Sequence, residues 1–195
     1  MMKKICKSAI AISMLVAGNA YAGTVTADVN ALGLLGTPGY GLVSPSSVNW
    51  IFSATGGTGN LTFELAGYHT LDGDSNCCTD VFHLSVNSTE IFSGSWNLGG
   101  GGGNVIYFNP NSGTASPTLY GFNAGGIVDI SVPISLLNGS NTVTFAYTGA
   151  YQGLGDEGWG VNSASVTTTA TPIPAAIWFT GTALIGLCGF FRRNS

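Results

Sequence analysis

The chain has 195 residues, with 5 Lys plus Arg against 9 Asp plus Glu, and a formal net charge of −4. Every Lys and Arg lies at an end: Lys3, Lys4 and Lys7 at the start, Arg192 and Arg193 at the finish. The carboxylates all lie between, so the body offers no basic patch for nucleic acid and no internal Lys or Arg partner for an acid.

Residues 1–22 read as a secretory signal peptide. A basic start through Lys7 precedes an apolar run from Ala9 to Ala17, and Ala20-Tyr21-Ala22 fits small-residue cleavage. Cleavage after Ala22 leaves a mature start at Gly23. The run is short for a membrane span, and the alternative is a retained anchor.

Residues 23–170 are long enough for one domain with a real core. They are rich in Gly, Thr, Ser and Asn and poor in helix formers. Apolar residues alternate along Leu61-Phe63-Leu65, Phe82-Leu84-Val86, Val128-Ile130-Val132-Ile134 and Val143-Phe145-Tyr147. Period-two alternation puts one face on a core and the other in water. Turn signals separate the runs at Gly56–Asn60, at Val86–Glu90 as a hairpin, and at Asn138-Gly139. Pro133 suggests a sheet edge or a strand end. Gly99 to Gly103 lacks the Gly-Lys-Ser/Thr of a phosphate loop and reads as a flexible connection. The predicted fold is all-β, an antiparallel sandwich of jelly-roll type.

The densest chemistry is Asp72-Gly73-Asp74-Ser75-Asn76-Cys77-Cys78-Thr79-Asp80. Asp72, Asp74, Asn76 and Asp80 are oxygen donors of the kind hard cations take, and Ca²⁺ wants 6–8 of them. An EF-hand fails, because Cys77 stands where its Gly belongs and His83 where its Glu belongs. The alternative is a solvated acidic loop with Asx-turns. Cys77 and Cys78 are the only cysteines of the body, and outside the cytoplasm paired thiols tend to oxidise. Adjacent Cα atoms lie about 3.8 Å apart, below the usual disulfide range of about 4.4–6.8 Å, so a Cys77–Cys78 bond is strained. It is nonetheless the expected pairing, with a free pair or links to a second chain as the alternatives. A second acidic loop, Asp156-Glu157, precedes a final strand over 161–169.

The tail runs Thr171-Pro172-Ile173-Pro174-Ala175, then an uncharged stretch to Phe191, then Arg192-Arg193. About 20 apolar residues span a bilayer as a helix, and the Arg pair places the C-terminus in the cytoplasm. Motif, helix and basic tail together resemble the PEP-CTERM sorting signal in its Val-Pro-Leu-Pro-Ala form, with Thr171 and Ile173 in place of Val and Leu. The resemblance implies processing near Pro172–Ala175 by an exosortase, a membrane enzyme, and a setting of extracellular polysaccharide or biofilm matrix. A plain C-terminal anchor is the alternative. The protein is thus expected in the inner membrane before processing and at the cell surface or outside afterwards.

The body resembles, more distantly, secreted bacterial β-sandwich modules that bind Ca²⁺ and in some cases carbohydrate. The matching residues are Asp80, Phe82 and Asn87, then Asp156, Glu157, Trp159 and Gly160. The resemblance implies that both acidic loops supply one ion.

No catalytic motif is present: neither a Gly-x-Ser-x-Gly elbow nor a His-Glu-x-x-His occurs. Only His69 and His83 are available as bases, and Asp80 with Glu157 would be the glycosidase candidates. The expected function is a non-catalytic surface or matrix protein stabilised by Ca²⁺, with extracellular polysaccharide as a candidate partner. The alternative is a carbohydrate-binding module using Trp50, Trp96, Tyr107, Tyr120, Tyr151 or Trp159 as stacking faces, although such aromatics are more often core.

Overall fold

A computed structural model describes residues 22–36 and 41–169. The signal cleavage residues Ala20 and, beyond the domain, the tail motif Pro172–Ala175, its helix and Arg192-Arg193 lie outside the described residues; Ala22 is the first residue inside them. No helix occurs among the described residues.

Among the described residues nine strands form: β1 Thr24–Thr26, β2 Leu42–Val43, β3 Ser46–Gly67, β4 Val81–Val86, β5 Thr89–Ser95, β6 Val105–Phe108, β7 Thr114–Leu119, β8 Gly126–Thr148 and β9 Gly158–Thr168. Every ladder between them is antiparallel. The order is β1-β9-β3-β8-β4-β5-β6, with β2 on β9 and β7 on β8.

β3 and β8 pair along almost their whole length and belong to both halves of the structure. The second half of β3 meets β9, and the first half of β8 meets β7. The last residues of β8 instead meet β4. The two halves face each other through aromatic side chains. Phe63 of the first half lies 5.1 Å from Phe145 and 5.7 Å from Phe82 of the second, and Trp159 lies 5.3 Å from Tyr147. The inward residues of all four alternating runs are buried, as period two requires.

Two local expectations need correction, and Pro133 takes the edge rather than the strand end among its two expected placements. Gly56–Asn60 and Asn138-Gly139 do not separate strands. They are bends within β3 and β8, where Thr55 pairs Asn138, Gly56 is skipped and Gly57 pairs Leu136. Gly56, Gly57 and Gly139 have φ of 77°, 107° and 97°, which glycine adopts freely; here the freedom bends a paired ribbon instead of reversing the chain. Pro133 is mid-strand rather than terminal. It pairs Asn60 on one side, while the β7 ladder stops at Ser131 and the β4 ladder starts at Val143, so its flank is an open edge. The glycine run is pinned rather than loose: Gly73 N donates to Gly101 O at 2.8 Å and Gly103 N to Asp74 O at 2.7 Å. The Asn87-Ser88 hairpin forms as predicted, with both φ values positive, as a two-residue primed turn needs.

Candidate metal centre

The loop between β3 and β4 and the loop before β9 are far apart in sequence and joined in space. Thr70 N donates to Asp156 O at 3.0 Å and Tyr68 N to Gly158 O at 2.9 Å. Asp80 N donates to Asp72 O at 3.0 Å, which folds the first loop back on itself. Ser44 N reaches Glu157 O at 3.0 Å and fixes the second loop against the strand entry.

These ties bring Asp72, Asp80 and Glu157 together. One carboxylate oxygen from each lies within 4.8 Å of the others, and all three side chains are buried. Asp80 is held from both oxygens: Ser44 Oγ donates to Oδ1 at 2.8 Å and Asp72 N to Oδ2 at 3.0 Å. Asp72 Oδ1 accepts from Asn76 Nδ2 at 2.7 Å. Glu157 Oε1 accepts from Gln152 Nε2 at 2.7 Å, while Oε2 is buried without a partner. The Tyr147 hydroxyl is likewise buried and unpartnered, and that burial, with the Asp80 charge adding to it, raises its pKa well above the usual phenol range. Glycines leave the space open: a methyl at Gly100 would collide with Asp72 Oδ1, and one at Gly149 with Asp80 Oδ1.

Burial and mutual repulsion act together on these acids. Burial first, then neighbouring carboxylates, push Asp80 up to about 6 and Glu157 up to about 7, against local hydrogen bonds that pull down. Burial also raises Asp72, with Asp156 adding to it. No Lys or Arg lies among residues 22–169 to relieve the charge. Three buried carboxylates with an unpartnered oxygen and no internal cation have the chemistry of a hard-cation site.

The other expected ligands sit elsewhere. Asp74 is on the outside, bonded by Ser75 Oγ and the Tyr107 hydroxyl, and these bonds lower its pKa. Asp156 takes the Thr70 hydroxyl and acts on the cluster only through its charge. Asn76 faces Asp72 and Gly100 O with its NH₂, and its carbonyl oxygen accepts from Cys77 N, so it steadies the cluster from behind. Cys77 and Cys78 are not bonded to each other in this structure, with Sγ atoms 2.9 Å apart, and while both are thiols that contact holds Cys78 up at about 11. Together with Asp72 they form a second group of close donor atoms. His83 stands on the outer face, as alternation predicted, bonded to Glu90 at 2.9 Å and Thr148 at 3.0 Å.

Sequence reading missed Ser44, Gln152 and Tyr147 at this site. Tyr147 alone carried a signal, since alternation pointed its ring inward toward the acidic end of the fold. The stacking candidates also divide. Trp50, Trp96 and Trp159 are buried, while Tyr107, Tyr120 and Tyr151 are exposed, together with Phe108 and Phe122, which the sequence did not single out.

No family model matches the chain, and no curated protein matches it. Among solved structures it is similar to a family 35 carbohydrate-binding module from Cellvibrio japonicus, at 15% identity and a TM-score of 0.36 over 66% of this chain and 69% of that one. It is similar to a second such module from an environmental isolate, at 14% identity and 0.33 over 69% of this chain and 76% of that one. A third, Xyl-CBM35 in complex with a glucuronic acid-containing disaccharide, matches at 18% identity and 0.33 over 66% of this chain and 70% of that one. Likeness at these TM-scores carries no ligand or activity across to this chain.

Proposed function

We propose that this chain is an exported, non-catalytic surface or matrix module, a β-sandwich of jelly-roll type whose acidic loops are joined by a divalent cation, Ca²⁺ by its oxygen chemistry. The observation that carries this reading is the buried Asp72–Asp80–Glu157 cluster, with an unpartnered Glu157 Oε2 and no cationic side chain in the body. Asp72, Asp80 and Glu157 would hold the ion, which supplies charge neutralisation and ties the β3–β4 loop to the start of β9. Asp80 and Glu157 have no exposed surface, so a glycosidic bond has no route to this carboxylate pair. A thermal melt against Ca²⁺ tests the reading. At 100 times its Kd a ligand adds about 2.7 kcal/mol. Unchanged melting of the full chain from EDTA to millimolar Ca²⁺ would remove the ion from this account.

Export and sorting belong to the same proposal. The N-terminal signal and the Pro172-Ile173-Pro174-Ala175 tail with Arg192-Arg193 support passage through the inner membrane and exosortase processing. Intact mass of the protein released by its host would show it: a C-terminus within residues 171–175 fits, and a retained Arg192-Arg193 does not.

Carbohydrate binding is the second reading. Tyr120, Phe122 and Tyr151 are 61%, 79% and 73% exposed. The loop carrying Tyr120 and Phe122 is tied to the acidic end by Asn123 N to Gly99 O and Gly125 N to His69 O, both 3.0 Å. Exposed rings at a loop end suit sugar stacking. Retention on a polysaccharide column that survives Phe122→Ala and Tyr120→Ala together would exclude these rings.

A further inference from the structure

The outer face of the β1-β9-β3-β8-β7 half carries a groove of about 460 Å³ that none of the readings above uses. Alternation puts its residues opposite the core-facing Leu61, Phe63, Val128 and Ile130. The ladders place Thr26, Ser165, Thr62, Ser131 and Thr114 in one cross-strand row, a hydroxyl from each of five strands. Neighbouring strands lie about 4.8 Å apart, so the row spans roughly 19 Å.

Beside that row Glu64 stands directly opposite Asp129. Like charges facing each other across a ladder destabilise it. Asn162 Nδ2 reaches Glu64 Oε1 at 2.6 Å, but the Asp129 side chain is exposed and its carboxylate accepts no hydrogen bond from the described residues. The body has no Lys or Arg to relieve the pair. A row of hydroxyls this long exceeds what a lone ion would use. It matches an extended polyol, and the two carboxylates call for positive charge on it.

We propose that this groove binds a glycan bearing free amino groups, its hydroxyls on the Thr and Ser row and an ammonium between Glu64 and Asp129. The groove shares no residue with the Asp72–Asp80–Glu157 cluster or with the exposed Tyr120 and Phe122, so the proposal stands without the calcium and stacking readings. The charge also decides against uronate-bearing chains.

The test is binding of the full chain to a short β-1,4-linked glucosamine oligomer, compared with the fully N-acetylated oligomer of equal length, by calorimetry in EDTA. The amine-bearing oligomer is expected to bind at least about tenfold more tightly. Glu64→Gln with Asp129→Asn should abolish that preference while far-ultraviolet circular dichroism stays native and melting does not fall. Glu90→Gln, which removes a carboxylate off the groove, should leave it intact. Equal affinity for the two oligomers overturns the proposal. So does a Glu90→Gln loss as large as that of the double variant, which would mean diffuse attraction of a polycation to an acidic protein.

Discussion

Glu157 holds one oxygen on Gln152 and leaves the other bare in a buried site beside two more acids. In the folded, metal-free protein Asp80 titrates at about 6 and Glu157 at about 7, both above the ordinary carboxylate value near 4. The folded state therefore keeps protons that the unfolded chain has released. Stability from these two groups is present at low pH and is lost as pH rises through 6 and 7. Melting temperature in EDTA is expected to fall from pH 5 to pH 8. Calcium needs the deprotonated acids, so its stabilising effect should grow across the same window. Glu157→Gln removes one buried charge while keeping the Gln152 contact. In EDTA at pH 8 it should raise stability by about 1 kcal/mol, a figure discounted for solvent screening, and it should blunt the response to Ca²⁺. A variant less stable than the parent in EDTA would show that Glu157 is already neutralised within the fold. For Cys77 and Cys78, oxidation outside the cytoplasm remains the expectation. The exported protein should take up alkylating reagent only after reduction, and two alkylations without reductant would dispose of the vicinal bond.

The pair β3 and β8 shows where alternation in a sequence informs and where it stops. Period two assigned inward faces correctly for Leu61, Phe63, Val128 and Phe145, because a residue's face depends on its neighbours in the chain. Strand ends were misread, because glycine at positive φ serves a reversal and a bend equally well and the partner strand decides which. The acidic loops were legible as donors from residue type. Which donors converge was not, because it depends on backbone bonds such as Thr70 N to Asp156 O between residues far apart in sequence. Two substitutions probe these elements. Gly56→Ala puts a side chain at φ 77° and close to Asn138 N, and should cost about 1–2 kcal/mol in denaturant unfolding. Ser88→Gly relieves a positive φ in the two-residue turn while leaving the Asn87 contacts to Asn141 and Thr142, and should gain about 0.5–1 kcal/mol. Loss of stability in Ser88→Gly would mean that the serine side chain holds the turn in a way the backbone does not require.

Across the whole molecule, residues 22–169 carry all the carboxylates and no Lys or Arg. Exposed acids such as Asp129 and Glu90 repel one another through water, and the buried three repel at short range. Salt treats these two kinds of repulsion differently. The Debye length is about 10 Å at 0.1 M, so NaCl screens the exposed acids and leaves the buried cluster almost untouched. A bound divalent ion acts on the cluster directly and saturates. Metal-free protein should therefore gain stability gradually as NaCl rises. CaCl₂ should produce a larger gain at far lower ionic strength, with a plateau, and that excess should shrink in Glu157→Gln. Equal gains from NaCl and CaCl₂ at matched ionic strength would reduce the calcium effect to screening. The acidic loops would then be held together by their backbone bonds alone, with Asp80 ionised and Glu157 keeping its proton in only about half of the molecules near pH 7.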